Sequence, residues 1–241
     1  GPRKSAISRT RSILLDHFTH KTRGKTVSVE KHVKHVMSHV VQIEALEQDH
    51  DWLSRVTSKF RSQDVDTVSL DLDDTGHSLA TALDQISQGF RVLVTTHHEG
   101  ALSALAHYVS FCQAQHTLPL GLKCIISQHA VPGICPACQE QSSVPPHLVQ
   151  FLNENQIPVD TPYTFGTGCR DCNHTGHRGF VPIHEYMPVT RTLREEIVFG
   201  KTLSNIPRRC LQDPGYHSLL DDGIDKVSKG LIQLDDLIEL V

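Results

Sequence analysis

Two Cys-x-x-Cys pairs, Cys135-Pro-Ala-Cys138 and Cys169-Arg-Asp-Cys172, constrain this chain more than any other feature. Each spacing lets two thiolates turn toward one point, and two such knuckles supply the four sulfurs of a closed tetrahedral Zn2+ site. The total of seven cysteines is odd and no apolar signal segment precedes them, which argues for a reducing compartment and against a disulfide framework. Two unrelated redox or free thiol pairs are the alternative. Four thiolates leave no open coordination position, so a metal held by Cys135, Cys138, Cys169 and Cys172 is structural and not catalytic. The gap between the knuckles exceeds that of an ordinary zinc ribbon, so the intervening segment is expected to carry its own structure. His174 and His177 then read as loop residues, and Cys112, Cys124 and Cys210 as small core residues.

Around this insert the patterning is that of an α/β protein. Candidate strands are Ile13 to Leu15, Val40 to Ile43, Thr67 to Leu72, Arg91 to Thr95 and Lys123 to Ser127, and apolar spacing predicts helices over Ser28 to Ser38, Ser78 to Ser87 and Gly100 to Gln115. Strands alternating with helices predict a RecA-like parallel sheet over 12–130, a four-cysteine zinc module over 131–180 and a C-terminal helical subdomain over 181–241. The closing helices carry their own stops, Gly200, Pro214-Gly215 and Gly230, and the last places Leu234, Leu237, Ile238 and Val241 on one face. Gly1-Pro2 has the form of a protease scar, and 1–11 reads as a tag remnant with a lead-in. Histidines 32, 35 and 39 share one helix face at i, i+3 and i+7 and read as a polar helix side, because no carboxylate joins them at ligand spacing.

Charge and hydropathy exclude other classes. With 23 Lys+Arg against 27 Asp+Glu and a net charge of −4, no basic field is available to hold a nucleic-acid backbone, which disfavours a zinc-ribbon nucleic-acid binder. No run approaches the roughly 18–20 apolar residues of a membrane span.

The segment Gly168-Cys-Arg-Asp-Cys-Asn-His-Thr-Gly-His-Arg-Gly179, then Ile183-His-Glu185, then Met187 to Ile197 with its Leu193-Arg194 helix, resembles the C-terminal ATPase domain of the bacterial type II secretion and type IV pilus assembly ATPases. Asp222-Gly-Ile-Asp-Lys-Val227 and Leu234 to Val241 stand at the places of that family's later motifs. Cys135-Pro-Ala-Cys138 is similar to its first knuckle, and Gln128-His129 stands where the family has Gln-Arg-Leu. Retraction ATPases generally lack the cysteines, so the assembly or secretion branch is implied.

The resemblance implies a nucleotide site, which this chain departs from residue by residue. The stretch Thr19 to Thr26 aligns with the phosphate loop, keeping Gly24, Lys25 and Thr26 but replacing its flexible positions by Thr19, Thr22 and Arg23. Glu44 is kept from the first acidic box, whose Asp-Pro is Ala45-Leu46. Leu72 stands at the catalytic glutamate, flanked by Asp71 and Asp73, and His97 stands at the box histidine. Leucine accepts no proton, so the implied reading is a pseudo-ATPase with hydrolysis weak or lost and ATP/Mg2+ binding in doubt. Such a protein is expected to act as a structural or regulatory subunit of secretion or pilus machinery at the cytoplasmic face of the inner membrane. It would join a hexameric homologous ATPase or its own oligomer, with no nucleic acid as partner. The alternative is an active hexameric ATPase, in which Gly24-Lys25-Thr26 and His97 suffice and Asp71 or Asp73 replaces the glutamate.

Overall fold

The computed structural model describes residues 1–2, 5–22, 24–45, 50–71, 75–114, 121–158, 163–198 and 211–240. Contacts divide the chain into one unit of Gly1–Ile125 with Val189–Arg209 and another of Ile126–Pro188 with Cys210–Val241. The division falls a few residues before 130. It joins the cysteine segment to the closing helices in one unit, where the sequence reading separates 131–180 from 181–241.

The first unit is built on a four-stranded parallel sheet, β1 (Lys25–Glu30), β2 (Val40–Glu44), β3 (Val65–Asp71) and β4 (Arg91–Val94), in the order β2-β1-β3-β4. Its helices are α1 (Ile7–Thr22), α2 (His50–Thr57), α3 (Thr75–Ser87), α4 (Ala101–Ala114) and, from the later segment, α6 (Arg191–Val198). The two central strands alternate strictly. Val27, Val29, Val68 and Leu70 point to one face and pack with Leu53, Phe60 and Ala82 into the core. Thr26, Ser28 and Glu30 on β1 and Thr67 and Ser69 on β3 point to the other face and are buried too. A buried polar face needs partners, and α1 supplies them: Arg11 reaches Ser28 and Ser69, while Thr19 Oγ1 donates to Thr26 Oγ1 at 2.9 Å. Arg11 thus lies over the C-terminal half of β1 and Thr19 over its start, so α1 runs antiparallel to the strands and its N-terminus stands at their C-terminal ends.

Three expectations need correction here. Ile13 to Leu15 lie inside α1, because Arg11 and Leu15 share one buried helix face at i, i+4 and the run serves that face. Ser28 to Glu30 are strand: β1 is flanked by parallel partners on both sides, and that pairing overrides the helical spacing of Val33, Val36 and Met37, where Val36 is 91% exposed. Histidines 32, 35 and 39 therefore share no helix face. Residues 7–11 are no lead-in either, since Arg11 is 5% exposed at the centre of the sheet's polar face. Arg23, Leu46, Leu72, Asp73, Gly200, Cys210, Val241 and most of the stretch Ile206 to Leu211 lie outside the described residues.

The second unit contains β5 (Cys124–Ile134) from Ile126 onward, paired with β8 (His177–Pro188), and β6 (Gln139–Ser142) antiparallel to β7 (Tyr163–Gly166). Helices α5 (Pro146–Glu154), α7 (Leu219–Ser228) and α8 (Leu234–Ile238) close a core of Val131, Leu148, Leu152, Ile183, Val227, Ile232, Leu234 and Leu237. A capping box starts α7: the Ser218 hydroxyl accepts the Asp221 N–H while the Asp221 carboxylate accepts the Ser218 N–H, each at 3.0 Å. No helix among the described residues is long and apolar enough to cross a membrane.

Candidate metal and nucleotide sites

The four knuckle cysteines meet in the second unit. Cys135 follows β5 and Cys138 precedes β6, while Cys169 and Cys172 lie in the turn between β7 and β8. The β6–β7 ladder sets the two knuckles side by side, pairing Gln139 with Gly166, and Thr167 N–H extends it by donating to the Cys138 carbonyl at 2.9 Å. All four sulfurs lie within 4.8 Å of one another, with Cys135–Cys169 and Cys138–Cys172 at 3.9 Å and Cys169–Cys172 at 3.8 Å. A tetrahedral ion with sulfur at about 2.3 Å places its ligands about 3.8 Å apart. The donor set therefore fits a structural zinc.

Backbone amides prepare the sulfurs for negative charge. Gly168 N–H donates to Cys138 Sγ at 3.3 Å, and Cys172 Sγ accepts from Cys169 at 3.1 Å and Gly176 at 3.3 Å. Those donors pull the Cys172 thiol down to about 6, whereas burial and the neighbouring sulfurs push Cys138 up to about 12. His174 and His177 are not among the clustered ligands; His177 faces Asp236 and Gln233 instead.

Gly176 holds this centre closed. Its φ is +75°, and a Cβ there would stand 2.4 Å from the Gly166 carbonyl oxygen. Gly176→Ala is expected to cost about 1–3 kcal/mol from the left-handed backbone alone, with the clash added. Metal content and thermal melts read the loss; a variant that keeps both would place the tight approach outside the metal centre.

The remaining motif residues of this unit form a structural brace. His184 Nε2 lies 3.2 Å from Gln128 Oε1, its backbone N–H donates to Asp222 at 2.7 Å, and Asp222 pairs with Lys226. Burial works against the Asp222 charge, but Lys226 and the His184 amide outweigh it and hold the carboxyl below its ordinary range. Tyr216 donates to Glu185 at 2.9 Å. His129 is half-buried.

In the first unit the aligned Gly24-Lys25-Thr26 is misplaced, which corrects the sequence reading. A phosphate loop leads from a strand into a helix at the C-terminal edge of a parallel sheet. Here Gly24 follows α1 and Lys25 opens β1, at the opposite edge. Lys25 Nζ donates to the Gln63 carbonyl at 3.0 Å, and its backbone N–H donates to Asp66 at 2.8 Å.

The segment before α1 also opens a helix at the strands' C-terminal edge. Gly1 N lies 3.5 Å from the Thr96 carbonyl oxygen, past the end of β4. The general frame Gly-x4-Gly-Lys-Ser/Thr fits Gly1-Pro-Arg-Lys-Ser-Ala-Ile-Ser8, with Gly1 and Ser8 kept, Ala6 at the second glycine and Ile7 at the lysine. Ala6 has φ +58°, the left-handed conformation for which glycine is the ordinary choice. The sequence reading missed this frame, although an N-terminal Gly-x6-Ser entering a helix was a signal for it.

At this same edge the site's acidic groups are already neutralised. Arg11 donates to Glu30 at 2.7 Å and pairs with Asp71 at 3.1 Å, and its other terminal nitrogen reaches Ser28 Oγ at 2.8 Å and Ser69 Oγ at 3.4 Å. Glu30 is 1% exposed and Asp71 19%. The second Glu30 oxygen accepts from Gln42 at 2.9 Å, and Gln42 in turn accepts the Met37 N–H at 2.8 Å. Burial opposes the Glu30 charge, yet the Arg11 and Gln42 hydrogen bonds prevail and hold its carboxyl below the usual range.

Of the other predicted site residues, Glu44 and His97 are exposed. Glu44, the expected acidic-box residue, ends the edge strand β2, is 45% exposed and faces His32 at 3.3 Å. Glu30 takes the central place in its stead. His97 is exposed, while its neighbour His98 packs against His107 with ring centroids 4.8 Å apart.

A family model described as type II/IV secretion system protein matches residues 13–239. The chain is 23% identical over 239 residues to the type IV pilus assembly ATPase PilB of Thermus thermophilus, covering 99% of this chain and 27% of that protein. It is 27% identical over 242 residues to the putative type II secretion system protein E of Escherichia coli, covering 100% of this chain and 48% of that protein. It thus spans from about a quarter to about half the length of these relatives. Among solved structures, the pilus retraction motor PilT with bound ADP superposes with a TM-score of 0.68 at 19% identity, over 100% of this chain and 59% of the other. The Legionella pneumophila ATPase DotB gives a TM-score of 0.67 at 14% identity, over 100% and 58%. These two likenesses establish the fold, a RecA-like parallel-sheet domain.

Proposed function

The chain belongs to the type II/IV secretion system protein family, and from that premise we propose that it serves a secretion or pilus machine as a structural or regulatory subunit that does not hydrolyse ATP. The observation that carries this reading is the buried Arg11 guanidinium on Glu30 and Asp71. Phosphoryl transfer needs a lysine and a divalent cation to balance phosphate charge, and a carboxylate to orient water. This chain has Ile7 at the lysine of the frame and Leu72 at the glutamate of the resemblance, and its sheet-edge carboxylates already hold a cation of their own. The residues present do not fit ATP/Mg2+.

What the unit retains is its shape. A ring neighbour or a membrane platform reads shape and surface, not turnover, so the subunit would join a homologous hexameric ATPase or its own oligomer at the inner membrane's cytoplasmic face. In the second unit, Cys135, Cys138, Cys169 and Cys172 would hold Zn2+, which supplies a rigid cross-link between the ladder β6–β7 and the turn before β8.

Steady-state phosphate release with magnesium ATP tests the reading, alone and mixed with the cognate hexameric ATPase. Release at the level of a protein-free blank is expected from the chain alone, with co-elution on size exclusion when the ATPase is present. Steady turnover that is abolished by Glu30→Gln would establish an active enzyme instead.

A further inference from the structure

We propose that Arg11 is a built-in cation occupying a latent divalent-cation site formed by Glu30, Asp71, Ser28 and Ser69. The inference deepens the non-hydrolysing reading above, and its test uses no nucleotide, so each can fail alone.

Four side-chain oxygens from two neighbouring strands converge on one guanidinium: Glu30 Oε2 at 2.7 Å, Ser28 Oγ at 2.8 Å, Asp71 Oδ2 at 3.1 Å and Ser69 Oγ at 3.4 Å. The parallel register sets them in two matched rows, Ser28 beside Ser69 and Glu30 beside Asp71. Two carboxylates and two hydroxyls are the donor set of a hard divalent cation such as Mg2+ or Mn2+, which takes oxygen ligands. Gln42 holds the other Glu30 oxygen, so Glu30 Oε2 stays aimed at the centre.

The guanidinium is a poor structural choice for its own sake. Arg11 is 5% exposed, and its Nε has no hydrogen-bond partner among the described residues. A buried donor left bare is costly, and an apolar residue here would avoid that cost if the carboxylates were also apolar. The carboxylates are kept and the cation is supplied covalently from α1. The site is therefore permanently filled and does not depend on a ligand.

Thermal unfolding of the intact, zinc-loaded chain in MnCl2, against choline chloride of equal ionic strength, tests this. The wild-type melting temperature is expected not to respond to Mn2+. Arg11→Met is expected to melt roughly 6–12 °C lower and to recover saturably as Mn2+ is added, with about one ion bound per chain by calorimetry. Adding Glu30→Gln and Asp71→Asn to Arg11→Met is expected to restore the melting temperature without Mn2+ and to abolish the response. If Arg11→Met does not fold, refolding it in Mn2+ and the triple variant decide: recovery of both supports the latent site. An Mn2+ response in wild type, an unchanged Arg11→Met, or a triple variant that fails to fold or still binds Mn2+ would overturn it.

Discussion

Removing the metal is expected to unfold the second unit. Its core packs β5 and β8 against α5, α7 and α8, and the turns that carry the cysteines are joined by the sulfur cluster and the short β6–β7 ladder. Metal binding energy at such a site is folding energy, roughly 10–16 kcal/mol in small zinc domains. Cys135→Ser with Cys169→Ser takes one sulfur from each knuckle and should lower stability by several kcal/mol. Metal analysis should find about one zinc per chain in the wild type. A stable, zinc-free wild-type protein would remove the centre from the fold's energetics.

The second large effect concerns the ion cluster. Glu30→Ala leaves Arg11 buried with Asp71 and two hydroxyls, and breaking a buried pair from one side costs about 3–5 kcal/mol. The remaining Asp71 contact places the expected loss at the lower end, near 3 kcal/mol, or roughly 6–12 °C in melting temperature. Glu30→Gln keeps an acceptor for Arg11 and should lose less. It also changes the pH response. The folded Glu30 carboxyl titrates below its unfolded value of about 4.3, so its stabilisation is full above that value and is lost as pH falls through the folded pKa. Glu30→Gln should flatten this part of the acid limb, measured by urea denaturation between pH 5 and pH 3. An unchanged limb would place the charge coupling elsewhere.

The clustering of the four cysteines is legible in the sequence because its information is local. Each knuckle is an i, i+3 pair, and only the joining of two pairs depends on the fold. The strands β2, β3 and β4 were legible for a similar reason: short apolar runs bounded by polar turns. Reading failed where pairing decides. Residues Thr26 to Glu30 alternate polar and apolar with period two, a strand signal, but the spacing of Val33, Val36 and Met37 gives a competing helix signal that overlaps it.

The nucleotide edge failed for a different reason. Gly24-Lys25-Thr26 has the right letters, and letters do not show whether a helix follows or precedes them. Arg11 and Glu30 are 19 positions apart and meet only because α1 crosses the sheet antiparallel to its strands. Neither residue belongs to a motif, so their partnership is a property of the fold. Leu72 and His97 were read from the resemblance; His97 is exposed in the fold, and Leu72 lies outside the described residues.

The most direct test of a self-occupied nucleotide unit is calorimetric titration of the zinc-loaded chain with magnesium ATP. With Arg11 seated on Glu30 and Asp71, the expected trace shows only heats of dilution. A saturable event of one nucleotide per chain, requiring Mg2+ and lost in Glu30→Gln, would contradict it.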